Sequence, residues 1–288
     1  MISIENGHRI GNSVSCRSVR PVRDEKNIVD RTRWLTDHFG GIARRQLNTQ
    51  DHVWKPYQPV IASVLNQSRP ATILDAPSGS GWLKQLLHFD AQIDGLDLFA
   101  PHPPGYRIFR NVDLDLGVPE DLGVYDAIVC CEGMEHFGNP GLYFKSASLR
   151  LVPGGRLIVT IPNVWFPAAR LQFFLRGFFP SFPCLIGQIE RGTHMHIMPW
   201  SFPQLFLFLR LYGFENIILH NVEERKPKRM FERLLGIPQT VYCRNKLSKS
   251  LTEEERAFWS YAGSEQSVYG RRLVVSATTP DTKNITDA

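Results

Sequence analysis

The chain lacks any uncharged apolar run of about 18 residues, the length a membrane-spanning helix needs. Its first residues, Met1 to His8, contain no apolar stretch of signal-peptide length, which sets the expectation of a cytoplasmic protein. No segment repeats. Cysteine is scarce: Cys16, Cys130, Cys131, Cys184 and Cys243 include no C-x-x-C pair and no zinc-type spacing, which argues against a zinc ribbon or a disulfide framework. They read as reduced thiols, and Cys130 and Cys131, adjacent on a predicted strand, should point to its opposite faces. Neither sign of charge dominates. An excess of +5 over 288 residues, with a pI of about 9.0, is too small to argue for nucleic acid. Apolar residues are plentiful at 43%, enough for a sizeable core in one large domain or two small ones.

The most informative stretch runs from Ile73 to Leu83. A short apolar run ends on Asp75, a glycine-rich turn follows, and a helical pattern starts at Trp82 and Leu83. Gly79 and Gly81 permit positive φ and close approach of a ligand to the backbone. The helix after them offers free N–H groups and a positive dipole end. Alone, such a loop also describes dinucleotide-binding proteins. The elements that follow add specificity. Asp97 ends a second apolar stretch, about 20 residues after the loop, placed to take both hydroxyls of a ribose. Asn111 to Asp115 is a third strand tip carrying two acids. Tyr125 to Glu132 is a fourth strand running into Gly133 to Pro140, and Leu151 to Asn163 is a turn and a fifth strand. This alternation predicts βαβ units, a parallel sheet, and a ligand at the carboxyl ends of the strands, where every one of these acids falls.

The series resembles the class I S-adenosylmethionine-dependent methyltransferases, in the branch of small-molecule and glycan O-methyltransferases. The resemblance is close over roughly residues 70 to 165 and weak toward the C-terminus. It implies an α/β fold: a Rossmann-like, seven-stranded, mostly parallel sheet with helices on both faces and insertions after strands five and six. The last strand, Arg271 to Thr278, would run antiparallel. It also implies S-adenosylmethionine as cofactor. Asp75, Gly79 and Gly81 would face the methionine part, Asp97 and Leu98 the ribose, and Asp113 and Leu114 the adenine, with Glu132 completing the set. Asp115 competes with Asp113 for the adenine role. One position departs from the pattern: the family's first loop glycine is Pro77 here, so that turn is made with fixed φ. The alternative role for a strand-tip acid is to cap a helix. Loss of the glycine loop or of Asp97 would have favoured a non-catalytic cofactor-binding scaffold, and both are present.

Glu132, Glu135 and His136 stand at i, i+3 and i+4, a spacing that gathers the three side chains if the segment turns helically after the strand. Two carboxylates and an imidazole suit a divalent cation such as magnesium, manganese or zinc. The E-x-x-E-H pattern resembles two metal-using branches, the ubiquinone-pathway O-methyltransferases and the small-RNA terminal methyltransferases. The latter add a histidine from beyond the fifth strand, and His196, four residues before Trp200, matches it. The resemblance thus implies Glu132, Glu135, His136 and His196 as metal ligands. Many relatives carry the pattern with no known metal. In that case His136 or His196, with Glu135, is the natural catalytic set for deprotonating a hydroxyl.

Residues 1–30 read as a loose arm, 31–279 as the methyltransferase domain with insertions at about 164–195 and 223–268, and 280–288 as a disordered tail. Residues 31–69 look helical in two pieces, broken near Asn48 to Asp51. The first insertion is dense in aromatics interleaved with Arg170, Arg176 and Arg191. It reads as a lid that completes the core, as an apolar acceptor pocket, or as a surface touching a membrane that holds a lipid-linked acceptor. Its motifs look like those of bacterial methyltransferases encoded with cell-surface polysaccharide enzymes. Trp200 to Tyr212 reads as an amphipathic helix, Glu215 to His220 as a sixth strand, and Arg225 to Arg229 as a solvated basic loop, with phosphate or membrane contact as the alternative. The expected reaction is O-methylation of a hydroxyl on a sugar of a surface polysaccharide or lipid-linked glycan. Nucleic-acid and quinone-type O-methylation are the rivals, and the first lacks a clear basic groove. Peripheral contact at the inner face of the membrane accompanies the lipid-linked expectation.

Overall fold

The computed structural model describes residues 54–179 and 196–281. The N-terminal arm, the first helical piece, Arg191 and the end of the tail lie outside the described residues. Five strands lie parallel: β1 (Thr72–Asp75), β2 (Gln92–Asp97), β3 (Ile108–Asn111), β4 (Tyr125–Cys131) and β5 (Leu151–Pro162). Two more, β6 (Glu215–His220) and β7 (Arg272–Thr278), complete the sheet, with β7 antiparallel to β5 and to β6. The order is β3-β2-β1-β4-β5-β7-β6. This is the seven-stranded, mostly parallel sheet that the resemblance implies. The chain order turns back at β1, which pairs with β2 on one side and β4 on the other. A switch point of this kind leaves a crevice at the carboxyl ends of the strands.

Strand alternation sorts the side chains to two cores, one on each face. Ile73, Ala127, Val129 and Ile158 face α1 (Gln58–Ser68), meeting Ile61 and Leu65. Leu74, Ile128, Cys130 and Val159 face a larger cluster. That cluster includes Tyr143 and Phe144 of α3 (Pro140–Leu149) and Phe202 and Leu205 of α5 (Phe202–Leu211). The adjacent thiols therefore part as expected: Cys130 is in the second core, and Cys131 packs against the first. The helices start where their sequences supply caps. Asn139 accepts the Leu142 N–H ahead of α3, and Ser201 accepts the Gln204 N–H ahead of α5.

The short α2 (Leu83–Leu86) follows the glycine loop, and α4 (Pro167–Arg176) follows β5 and ends at Gly177 with φ 80°. The second insertion is helical: α6 (Met230–Leu247), α7 (Glu253–Ala262) and α8 (Glu265–Tyr269) lie between β6 and β7 in sequence. Because β7 runs antiparallel, its first residue, Arg272, pairs with Pro162 at the carboxyl end of β5. The side chain of neighbouring Arg271 is mostly buried. Its guanidinium lies 3.4 Å from the centre of the Phe166 ring and 2.6 Å from the buried Glu232 of α6.

Candidate active site

The loop after β1 passes through Pro77 and reaches Gly79 and Gly81, with φ of 52° and 72°. The two glycines differ. A Cβ at Gly81 would run into Pro103, whereas one at Gly79 would meet nothing within 4 Å. Gly81 is therefore required by packing, and Gly79 borders open space. The Gly79 N–H donates to Asp97 Oδ2 at 2.9 Å, and the N–H groups of Phe99 and Ala100 donate to Oδ1 at 3.0 and 2.9 Å. Asp97 is thus locked at the tip of β2, next to the half-buried Leu98. Oδ2, with a single donor, keeps acceptor capacity for a ligand hydroxyl.

Asp75, at the tip of β1, is fully buried. Tyr106 donates its hydroxyl proton to Oδ2 at 2.5 Å, while Oδ1 has no partner among the described residues. Burial raises its pKa to about 7; the Tyr106 hydrogen bond opposes the rise and the Asp97 charge adds to it. A buried acceptor without a partner, at the root of a loop whose Gly79 is unobstructed, suits a ligand that brings an ammonium group and backbone-hugging atoms. The amino-acid end of S-adenosylmethionine has that chemistry.

Asp113 caps a single helical turn at Leu114–Leu116 by accepting the Asp115 N–H at 3.1 Å. Leu114 places its side chain in the core and its carbonyl oxygen on the Gly117 N–H. Asp115, the competitor for the adenine role, spends Oδ1 on the Gly138 N–H at 2.8 Å. It therefore ties this turn to the loop after β4.

That loop carries the E-x-x-E-H segment. His136 N–H closes a turn on the Gly133 carbonyl oxygen at 2.9 Å. One carboxylate oxygen of Glu135, a nitrogen of His136 and a nitrogen of His196 lie within 4.8 Å of one another. The two imidazoles meet edge to face with centroids 4.9 Å apart. Three backbone and side-chain bonds hold His196 there: the N–H groups of Ile197 and Met198 donate to the Glu135 carbonyl oxygen, and Trp200 Nε1 donates to that of Met134 at 3.0 Å. Glu135 is buried, and Oε2 lacks a partner among the described residues. Burial, then the charge of Glu132, pushes its pKa up to about 8. A buried carboxylate beside two imidazoles has the donor chemistry of a divalent-cation site.

Glu132 does not join them, which corrects the expected four-residue convergence. Its backbone is left-handed, with φ 50°, so the chain does not enter a helical turn at this residue. Its N–H donates to the Thr160 carbonyl oxygen at 3.1 Å, and its Oε2 pairs with Arg272 Nε at 3.1 Å. Burial raises the Glu132 pKa, against the pull of Arg272 and Lys55. Arg272, Lys55 and Tyr106 were not singled out from the sequence. Only strand order could have found Arg272, because an antiparallel last strand brings its N-terminal end to the edge where parallel strands finish.

The fold defines an open, doubly wound α/β protein whose chain order switches between β1 and β4. The family model for a methyltransferase domain matches residues 50–217, more than half of the chain. The chain belongs to that methyltransferase family. It is similar to the ubiquinone biosynthesis O-methyltransferase of Xanthomonas axonopodis pv. citri, 27% identical over 146 residues, covering 44% of this chain and 60% of the relative. The protein of the same name from Idiomarina loihiensis is 25% identical over 135 residues, covering 43% and 53%. The chain thus matches about 60% of the length of such curated relatives. A solved structure of 1,6-didemethyltoxoflavin-N1-methyltransferase from Burkholderia thailandensis, with bound 1,6-didemethyltoxoflavin and S-adenosylhomocysteine, is 15% identical. It aligns with a TM-score of 0.45 over 94% of this chain and 99% of that one. An O-methyltransferase family protein from the same organism is 13% identical, with a TM-score of 0.46 over 79% and 56%.

Proposed function

We propose that the protein is an S-adenosylmethionine-dependent O-methyltransferase acting on a hydroxyl. The observation that carries this reading is the convergence of Glu135, His136 and His196 in the loop after β4, which packs on Pro77 of the glycine loop after the neighbouring β1. When bound, S-adenosylmethionine supplies an electrophilic methyl group on a sulfonium, so the protein has two tasks: alignment and removal of the acceptor's proton. Asp97 holds the ribose, and the open Oδ1 of Asp75 receives the amino group of the methionine part. Asp113 and Leu114 border the adenine. His136 or His196 accepts the hydroxyl proton as the oxygen approaches the methyl carbon, and Glu135 stabilises the imidazolium that results. Glu135, His136 and His196 would also hold a divalent cation, which supplies Lewis acidity toward the hydroxyl when bound. Glu132 belongs to the wall of the site, held by Arg272.

For the acceptor, the sugar hydroxyl of a surface or lipid-linked glycan remains the reading drawn from the aromatic insertion. A phenolic hydroxyl of a quinone precursor is the second reading, favoured by the names of the curated relatives. The test is incubation with S-adenosylmethionine and a panel of glycan-lipid and phenolic acceptors, read by mass spectrometry as the gain of one methyl group. Failure of S-adenosylhomocysteine to bind in a calorimetric titration would overturn the reading for every acceptor.

A further inference from the structure

Helix α6 is turned inside out. The residues it presents to the protein are Glu232, Gly236 and Cys243, all buried. Gly236 is small because Tyr269 fills the space where a Cβ would stand, and Glu232 is neutralised by Arg271. The residues it presents to solvent are apolar. At 3.6 residues per turn, Met230, Leu234, Ile237 and Val241 form one stripe, and they are 74, 70, 50 and 60% exposed. Helix α4, which packs against α6, adds Phe174 and Leu175 at 83 and 71%. An ordinary surface helix shows the reverse arrangement, and a contiguous apolar patch of this kind marks a contact surface.

The charges around the stripe identify the partner. Arg233 and Arg244 flank it on one side, both exposed. Exposed Arg225, Lys228 and Arg229 precede the helix, and Arg176 ends α4. The only acid in α6 is Glu232, which is on the buried side. The acids Glu253 to Glu255 belong to the first turn of α7. An apolar stripe with cationic margins matches the boundary between acyl chains and anionic headgroups. No helix among the described residues is long and apolar enough to cross a membrane, so contact of this type is interfacial.

We propose that the α4–α6 face docks the protein onto an anionic lipid bilayer, with Met230, Leu234, Ile237, Val241, Phe174 and Leu175 entering the acyl boundary and the flanking arginines and Lys228 meeting the headgroups. This does not depend on the methyl-transfer reading.

The test is co-sedimentation of the full chain with vesicles of phosphatidylcholine alone and with vesicles containing about one-third phosphatidylglycerol. The expected result is binding to the anionic vesicles that weakens with added salt. Leu234→Asp with Ile237→Asp should reduce that binding at least roughly tenfold, and Arg233→Glu with Arg244→Glu by a similar factor. Both positions of each pair are exposed, so the variants should keep the parent's circular dichroism and melting temperature. Unchanged vesicle binding in the Asp variant would overturn the proposal. So would absence of vesicle binding together with a parent dimer, seen by light scattering, that the same variant makes monomeric: the face would then be a contact between copies.

Discussion

The indole Nε1 of Trp200 donates to the carbonyl oxygen of Met134 at 3.0 Å, across 66 residues of sequence. Trp200 is fully buried, so this bond fixes the segment that follows the first insertion against the loop that follows β4. Together with the Ile197 and Met198 N–H bonds to the Glu135 carbonyl oxygen, it brings His196 up to His136.

Replacing Asp97 by Ala removes the acceptor of three backbone N–H groups as well as the ribose contact. Charge-assisted hydrogen bonds contribute about 1.5–3 kcal/mol each. Affinity for S-adenosylhomocysteine should fall at least roughly tenfold by calorimetry, and the ligand-free melting temperature should also drop. Unchanged affinity would remove Asp97 from the ribose site.

The two loop glycines should separate stability from binding. Gly81→Ala collides with Pro103 and should destabilise the fold by at least about 1–3 kcal/mol. Gly79→Ala meets no atom and carries only the strain of its positive φ, about 1–2 kcal/mol. It should nonetheless weaken cofactor binding by more than it weakens stability. Denaturant unfolding and calorimetry on both variants decide this, and equal losses in both quantities for Gly79→Ala would mean the loop is only structural.

Asp75 gives a pH dependence with a definite sign. Its folded pKa, about 7, lies above the ordinary 3.8, so the folded state holds the proton more tightly than the unfolded one. Its contribution is fully present below the ordinary value and is lost as pH rises through about 7. The loss is on the order of a few kcal/mol. Glu135, raised to about 8, acts in the same direction, so the comparison must isolate Asp75. Stability of Asp75→Asn, measured by urea unfolding from about pH 4 to 7, should be flatter than that of the parent. A parallel pair of curves would show that Asp75 is ionised at low cost.

The Glu132–Arg272 pair is partly exposed on the arginine side, with 37% of the Arg272 side chain open to solvent. Solvent screening limits its coupling to about 1 kcal/mol. A double-mutant cycle with Glu132→Gln and Arg272→Ala, read by unfolding free energy, should return a coupling of that size. A coupling near zero would leave Glu132 held by Thr160 alone.

Excess chelator should abolish methyl transfer, and magnesium, manganese or zinc should restore it. His196→Ala should weaken cation binding, measured by calorimetry, without weakening S-adenosylhomocysteine binding, because an imidazole ligates metal and not the nucleoside. Full activity in chelator would leave the two histidines as proton acceptors.

The glycine loop, the acid at the tip of β2 and the parallel course of the first five strands were legible in the sequence because each is a local signal: an apolar run, an acid at its tip, a turn made of small residues. The last strand's antiparallel course was also expected from the resemblance. Glu132 was misplaced for a physical reason. Spacing rules assume one backbone conformation through the segment, and hydrogen bonding to Thr160 on a neighbouring strand goes with a left-handed residue at its start. Arg272 and Tyr106 reach the site through tertiary placement, which no spacing encodes. The second insertion was read without periodicity, because a helix with Gly236 and Glu232 inside and Leu234 outside does not match the usual amphipathic template.

The last strand in sequence is not the last in the sheet. Strand β7 lies between β5 and β6, and the family match stops inside β6, at residue 217. A protein ended there would lose the pairing along one whole side of β5 and the arginine that neutralises Glu132. Residues 221–271, by contrast, join two strands that are already adjacent. That stretch bridges a hairpin, so the order of the strands does not depend on its length.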